Sequence, residues 1–225
     1  MGIAAVVLSA GGIAVAAVPG LGATACPRCY DLTSLGNRLY ADRDDPAYRT
    51  LIDDADRRIA AFYGARLSEP RVLICSTASC YDRLGGGGEK GRALRNWSLM
   101  LSPAGINPTI ATHELSHVEF HERLGSASGK VPQWFDEGLA VLVSDDARYL
   151  RPASQSDRCK LPYDEARPVI DADWWTAAAD GVDRPYLQAG CVVSRWAGAN
   201  GGPAAVLDLI TKLRAGADWP ADQFA

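Results

Sequence analysis

Histidine and methionine are scarce in this chain, three and two among 225 residues, and no acidic or basic side chain stands between Gly2 and Ala25. Each shortage excludes something. The three histidines all fall between positions 113 and 121, which leaves a single place where imidazole chemistry can be sought. Lys and Arg number 23 against 27 Asp and Glu, so the net charge of -4 lacks the positive field of a nucleic-acid binder. No period runs through the 22 glycines and 13 prolines, which removes collagen-like architectures, and 48% hydrophobic residues remove intrinsic disorder.

The charge-free stretch at the start reads as an export-type segment. Ala23-Thr24-Ala25 has the small-x-small look of a processing site, and Cys26 would then be the first mature residue. A basic region ahead of the apolar run is missing, and Ile3 to Leu21 is about long enough to cross a bilayer as a helix. Residues 1–25 are therefore expected to be a signal peptide or an N-terminal membrane anchor, the alternative being a buried Ala-rich helix of the domain. Residues 26–225 are expected to form a single domain, exported and either secreted, periplasmic or anchored on the outer side of the cell membrane.

Six cysteines behind such a segment read as disulfides. Cys75 with Cys80 would close a short loop, and Cys159 with Cys191 would staple a loop-rich stretch to a later helix. Cys26-Pro27-Arg28-Cys29 could be a bridge, a flexible tail, a redox pair or half a zinc ribbon, but no second C-x-x-C completes a ribbon.

Periodicity places the elements. Asp45-Pro46 starts a helix with Tyr48, Leu51, Ile52, Ala55, Ile59 and Phe62 along one face, and Gly64 stops it. Arg71 to Ser76 reads as a buried strand, and Leu94 to Ser102 as a second strand ended by Pro103. Helices are expected from Pro108 to Leu124, Val131 to Ser144, Tyr186 to Ala199 and Pro203 to Ala215, with an irregular stretch from Arg148 to Asp183 that contains Trp174 and Trp175. Strands early and helices late point to an α+β domain.

Residues 113–117 are His113-Glu114-Leu115-Ser116-His117, an H-E-x-x-H on the helix that Gly125 ends. Positions i and i+4 lie about 6 Å apart along a helix and about 40° apart around it, so both imidazoles can converge on one ion. Glu114, one step round, can face a water at that ion. His121 lies about 12 Å beyond His113 along the axis, too far to share the ion, and takes a surface or supporting role. The third ligand is expected to be Glu137, on an apolar helix where a carboxylate wants a charged partner. Asp136 would then point to solvent or to a helix terminus.

These residues resemble a family. HELSH, followed 20 residues after its second His by Glu137 in a W-x-x-E-G-x-A setting, is similar to the gluzincin branch of zinc metallopeptidases, especially its small peptidase MA-like members. The resemblance spans roughly Leu94 to Ala215 and implies a zincin-like fold with one Zn2+ held by His113, His117 and Glu137 and with Glu114 as general base. It implies further that the strand before the metal helix holds the substrate backbone, which singles out Trp97, Ser98, Leu99 and Met100. Tyr186, in a Y-x-x-x-G run, is similar to the tyrosine that donates to the transition state in aminopeptidase-like members. The chain departs from the family in lacking a G-x-M-E-N segment for a free substrate amine, and Val141 stands where thermolysin-like members keep an Asp. The expected activity is hydrolysis of peptide bonds in a peptide or protein. The alternative is an exported scaffold module of the same fold that binds zinc and peptide without cutting.

Overall fold

The computed structural model describes residues 19–166, 174–179 and 183–224. It is a mixed α+β arrangement whose small sheet is buried on both faces. A short helix α1 (Pro19–Ala25) leads through a 3-10 turn into the hairpin β1 (Thr33–Gly36) and β2 (Leu39–Ala41). Helix α2 (Pro46–Tyr63) follows, capped by the Asp45 carboxylate accepting from the Ala47 N–H and ended at Gly64, whose φ of 81° no β-carbon favours. Next come β3 (Arg71–Ile74), the short helix α3 (Ala78–Arg83), β4 (Gly91–Leu94) and β5 (Ser98–Leu101). The sheet order is β1-β2-β3-β5-β4, with β2, β3 and β5 parallel to one another and the outer strands antiparallel to their neighbours.

Alternation along these strands divides the core. Val72, Ile74, Leu99 and Leu101 face one cluster together with α2, whereas Leu73 and Met100 face another made by Ala23, Tyr81 and Leu84. On the first face lies α4 (Pro108–Leu124), which opens with Pro at its first position and the Asn107 side-chain oxygen accepting from the Ile110 N–H. Beyond it are α5 (Gln133–Val143), α6 (Trp174–Ala179), α7 (Arg184–Ala199) and α8 (Pro203–Arg214). An aromatic nest of Trp134, Phe135, Trp196, Trp219 and Phe224 closes the C-terminal side, with ring centroids 4.9–6.2 Å apart.

One expected element is corrected. Leu94 to Ser102 is not a single strand but the turn and second arm of a hairpin: Leu94 pairs with Ser98 and Gly91 with Leu101, while the Trp97 N–H closes on the Leu94 carbonyl at 3.1 Å. The chain reverses at Arg95, in the left-handed region at φ 52°, followed by Asn96. As a result β5 is an interior strand and β4 is the edge.

All three disulfides are formed: Cys26–Cys29, Cys75–Cys80 and Cys159–Cys191, the last tying the loop after α5 to α7 as expected. They fit an oxidising compartment. Residues 1–18 of the proposed leader, together with Pro168 and the rest of 167–173, lie outside the described residues. The end of that leader, Pro19–Ala25, is helical and buries Gly20, Gly22 and Ala23 against the body of the protein. No helix among the described residues is long and apolar enough to cross a membrane.

Helices α5 and α7 touch backbone to backbone. A β-carbon on Gly138 would stand 2.4 Å from the Ala189 carbonyl oxygen and 2.7 Å from the Val193 side chain. Helix propensity alone would make Gly138→Ala stabilising by about 1 kcal/mol. Because the contact is with backbone, which cannot rotate away, the variant is instead expected to lower the melting temperature; a calorimetric Tm equal to or above that of the parent would contradict this packing.

Candidate metal centre

The Asn107 cap sets the start of α4, and the i, i+4 spacing then stacks His113 and His117 on its face toward α5. Each histidine is 8% exposed. From α5, Glu137 reaches back so that its Oε2 lies 3.2 Å from His113 Nε2 and 3.6 Å from His117 Nε2, while the two Nε2 atoms are 3.2 Å apart. Ligand atoms bonded at about 2.0–2.1 Å to a tetrahedral ion are separated by about 3.3 Å, so this triangle has the size of one metal's coordination face. The three donors form a buried His-His-Glu group able to hold one metal ion.

Proton accounting supports the same fit. His117 Nδ1 lies 2.8 Å from Asp136 Oδ1, and a carboxylate can only accept, so Nδ1 carries a hydrogen and it is Nε2 that, on giving up its own proton, presents a lone pair inward. Glu137 Oε1 accepts from the Gln133 amide at 2.9 Å, which leaves Oε2 free to face the imidazoles. Two lone-pair atoms thus point at a common centre, and His113 Nδ1 is buried without a hydrogen-bond partner among the described residues. Unprotonated, these inward atoms repel one another, so either a proton or a metal ion has to sit between them.

Charge tells the same story. Burial by itself would depress the His117 pKa, but the carboxylates of Asp136 and Glu137 outweigh it and hold that imidazole well above its ordinary value. Burial would raise Glu137 and Asp136; His117, with His113 in one case and His121 in the other, pulls Glu137 far below the carboxylate range and Asp136 down to about 2. Two ionised carboxylates are therefore buried beside imidazoles, a pocket short of positive charge.

Glu114 lines the same cleft, about 470 Å3 in volume, along with His121, Gln133, Tyr186 and the strand residues Gly91, Arg92 and Ala93. Burial lifts its pKa, the two histidines counter part of that, and Glu137 adds to it. A β-carbon on Gly91 would lie 2.7 Å from Glu114 Cγ, so only glycine lets the edge strand pass over this side chain. Tyr186 stacks on Tyr149 at 5.4 Å and meets Trp174 edge-on at 5.5 Å; burial and then the charge of Glu137 keep its phenol protonated far above neutral pH. The hydroxyl of Tyr149 donates to Asp183 at 3.0 Å, which fixes the ring beneath Tyr186.

Of the residues picked out in the sequence, His113, His117 and Glu137 converge, and Glu114 and Tyr186 share their cleft. The expected backbone-binding residues do not. Ser98, Leu99 and Met100 are fully buried in β5, paired on both sides by β3 and β4, and Trp97 is 51% exposed in the hairpin turn away from the cleft lining. Asp136 is also corrected: instead of facing solvent it is buried between His117 and His121, whose Nε2 lies 2.7 Å from Asp136 Oδ2. His121 thus meets Asp136 rather than the three converging donor atoms. Gln133, at i-4 from Glu137 on the same helix, was not anticipated, although that spacing was a usable signal.

No protein-family model, curated protein or solved structure matches the chain.

Two measurements probe this arrangement. Asp136→Asn, which keeps the shape but lets the His117 ring turn or change tautomer, is expected to weaken zinc binding about 10–100-fold in chelator competition; an unchanged affinity would show that the Asp136 contact does not orient the ligand. Since the His117 pKa is raised, an entering ion has to displace its proton, and apparent affinity is expected to drop about tenfold for each pH unit below that pKa and to level off above it. Calorimetric titration in buffers of different ionisation enthalpy reads the released proton, and buffer-independent heats at acidic pH would contradict the assignment.

Proposed function

We propose that the chain is an exported zinc-dependent peptidase of gluzincin type, with a zincin-like α+β domain built around His113, His117 and Glu137. The observation that carries this reading is the closing of the 3.2, 3.2 and 3.6 Å donor triangle in a cleft that also contains Glu114. A zinc ion bound there would polarise a peptide carbonyl and bring the pKa of a water to about 7.

The residues divide the remaining work. Glu114, whose pKa burial raises above the ordinary carboxylate value, accepts the proton of the attacking water and passes it to the departing amine. Tyr186 holds its phenolic proton in the lining of the same cleft and donates to the oxyanion as the carbonyl becomes tetrahedral. Substrate backbone is held by β4 rather than β5. Among the described residues no strand pairs with the outer edge of β4, and Gly91, Arg92 and Ala93 line the cleft, so an extended peptide can add there as a further strand. The two small residues let it lie close to Glu114.

The test joins metal content to turnover. Parent protein loaded with one equivalent of zinc is expected to cleave members of an unbiased peptide library. Glu114→Gln is expected to retain the ion and lose at least about 100-fold in kcat/KM. Retained activity in that variant would remove Glu114 as base, and stoichiometric zinc with no cleavage by the parent would turn the assignment to a scaffold that binds zinc and peptide.

A further inference from the structure

The three disulfides are not equivalent. Cys75, Cys80, Cys159 and Cys191 are each 0 or 1% exposed, whereas Cys29 is exposed and its partner Cys26 half-buried. Thiol–disulfide exchange requires a thiolate to approach a sulfur along the S–S axis. Burial denies that approach at two bridges and leaves it open at the third. The open bridge also closes the shortest loop, a sequence separation of 3 against 5 and 32, so it restrains the unfolded chain least. Arg28, exposed inside the loop, favours the approach and departure of thiolates.

The chain on either side is held by other means. Arg71 donates to the carbonyls of Thr24 and Ala25, the latter at 2.9 Å, and Thr24 Oγ1 lies 2.6 Å from Ser98 Oγ. The Cys26 N–H reaches the Gly22 carbonyl at 2.9 Å, and the Leu32 N–H reaches the Pro27 carbonyl at 3.2 Å. Opening the bridge therefore frees two thiols without freeing the segment. The site sits beside α1, which packs on the Leu73 and Met100 face of the sheet, opposite the face that carries the metal helix.

We propose that Cys26–Cys29 is a redox-active couple that exchanges with low-molecular-weight thiols while the rest of the fold, its two buried bridges included, stays intact. A thiolate attacks Sγ of Cys29, the S–S bond breaks, and Cys26 leaves as thiolate. A second thiolate then attacks the outer sulfur of the mixed disulfide, which releases the small-molecule disulfide and the Cys29 thiolate. Two thiols are oxidised and one protein disulfide is reduced. This couple is independent of the metal centre.

The test uses the full oxidised chain in native buffer, equilibrated with a graded ratio of reduced to oxidised glutathione, quenched with N-ethylmaleimide and peptide-mapped by mass spectrometry. Cys26 and Cys29 are expected to be labelled at a ratio at least about tenfold less reducing than any of the other four cysteines, and oxidised glutathione is expected to restore the bridge. Labelling of a buried pair first, or of all six cysteines together, would overturn the proposal. Cys26→Ser gives a second reading: it is expected to hold glutathione on Cys29 as a mixed disulfide at unchanged circular dichroism, and a folded variant that forms no adduct would also overturn it.

Discussion

Two neighbouring carboxylates on one helix, buried against two imidazoles on another, are the constraint around which this half of the protein is arranged. Asp136 and Glu137 are successive in sequence, so they leave α5 about 100° apart and cannot both face the same partner atom. Asp136 takes the outer nitrogen of His117, and Glu137 takes the inner nitrogens of both rings. The division of labour constrains the register of α5 against α4, since a shift of one residue would put one carboxylate in the other's place and turn the other away from its imidazole, stranding a charge in the interior. Gln133 and His121 each satisfy a remaining carboxylate oxygen, at 2.9 and 2.7 Å. Charge compensation thus adds a constraint on register to the one that apolar packing imposes.

Much of this arrangement is written locally. Pro46 and Gly64, or Asn107-Pro108 and Gly125, mark helix ends by backbone chemistry that needs no distant partner, and observed helix limits follow them. His113 and His117 are likewise linked by helix geometry alone. What depends on tertiary placement is less legible. The turn at Arg95-Asn96 is weakly marked beside the strong alternation of Trp97, Leu99 and Leu101, so an edge strand and an interior strand read as one. Likewise, β1, β2 and α3 are too short to show a period. The place of Asp136 depends on which face of α5 meets α4, and a carboxylate beside a candidate ligand carries no local sign of what it touches.

The sheet separates two kinds of chemistry. Its Leu99 and Leu101 side supports the imidazole helix, and its Leu73 and Met100 side is covered by α1 and α3 with the Cys75–Cys80 bridge beneath. The third bridge, Cys159–Cys191, lies on α7 five residues beyond Tyr186 and anchors that helix to the loop following α5. One covalent staple thus braces a helix that lines the cleft and another the opposite face of the sheet, while the sulfur pair near the N-terminus braces little.

The close approach at Gly138 has a mechanical corollary. With no side chain to hold them apart, α5 and α7 form one unit, so the wall bearing Glu137 and the wall bearing Tyr186 share a single rigid jaw. The facing wall, the edge strand β4, is entered through Gly85–Gly88, where a β-carbon on Gly86 would stand 2.2 Å from the Tyr81 ring, so that wall too is seated on its neighbours by the absence of a side chain.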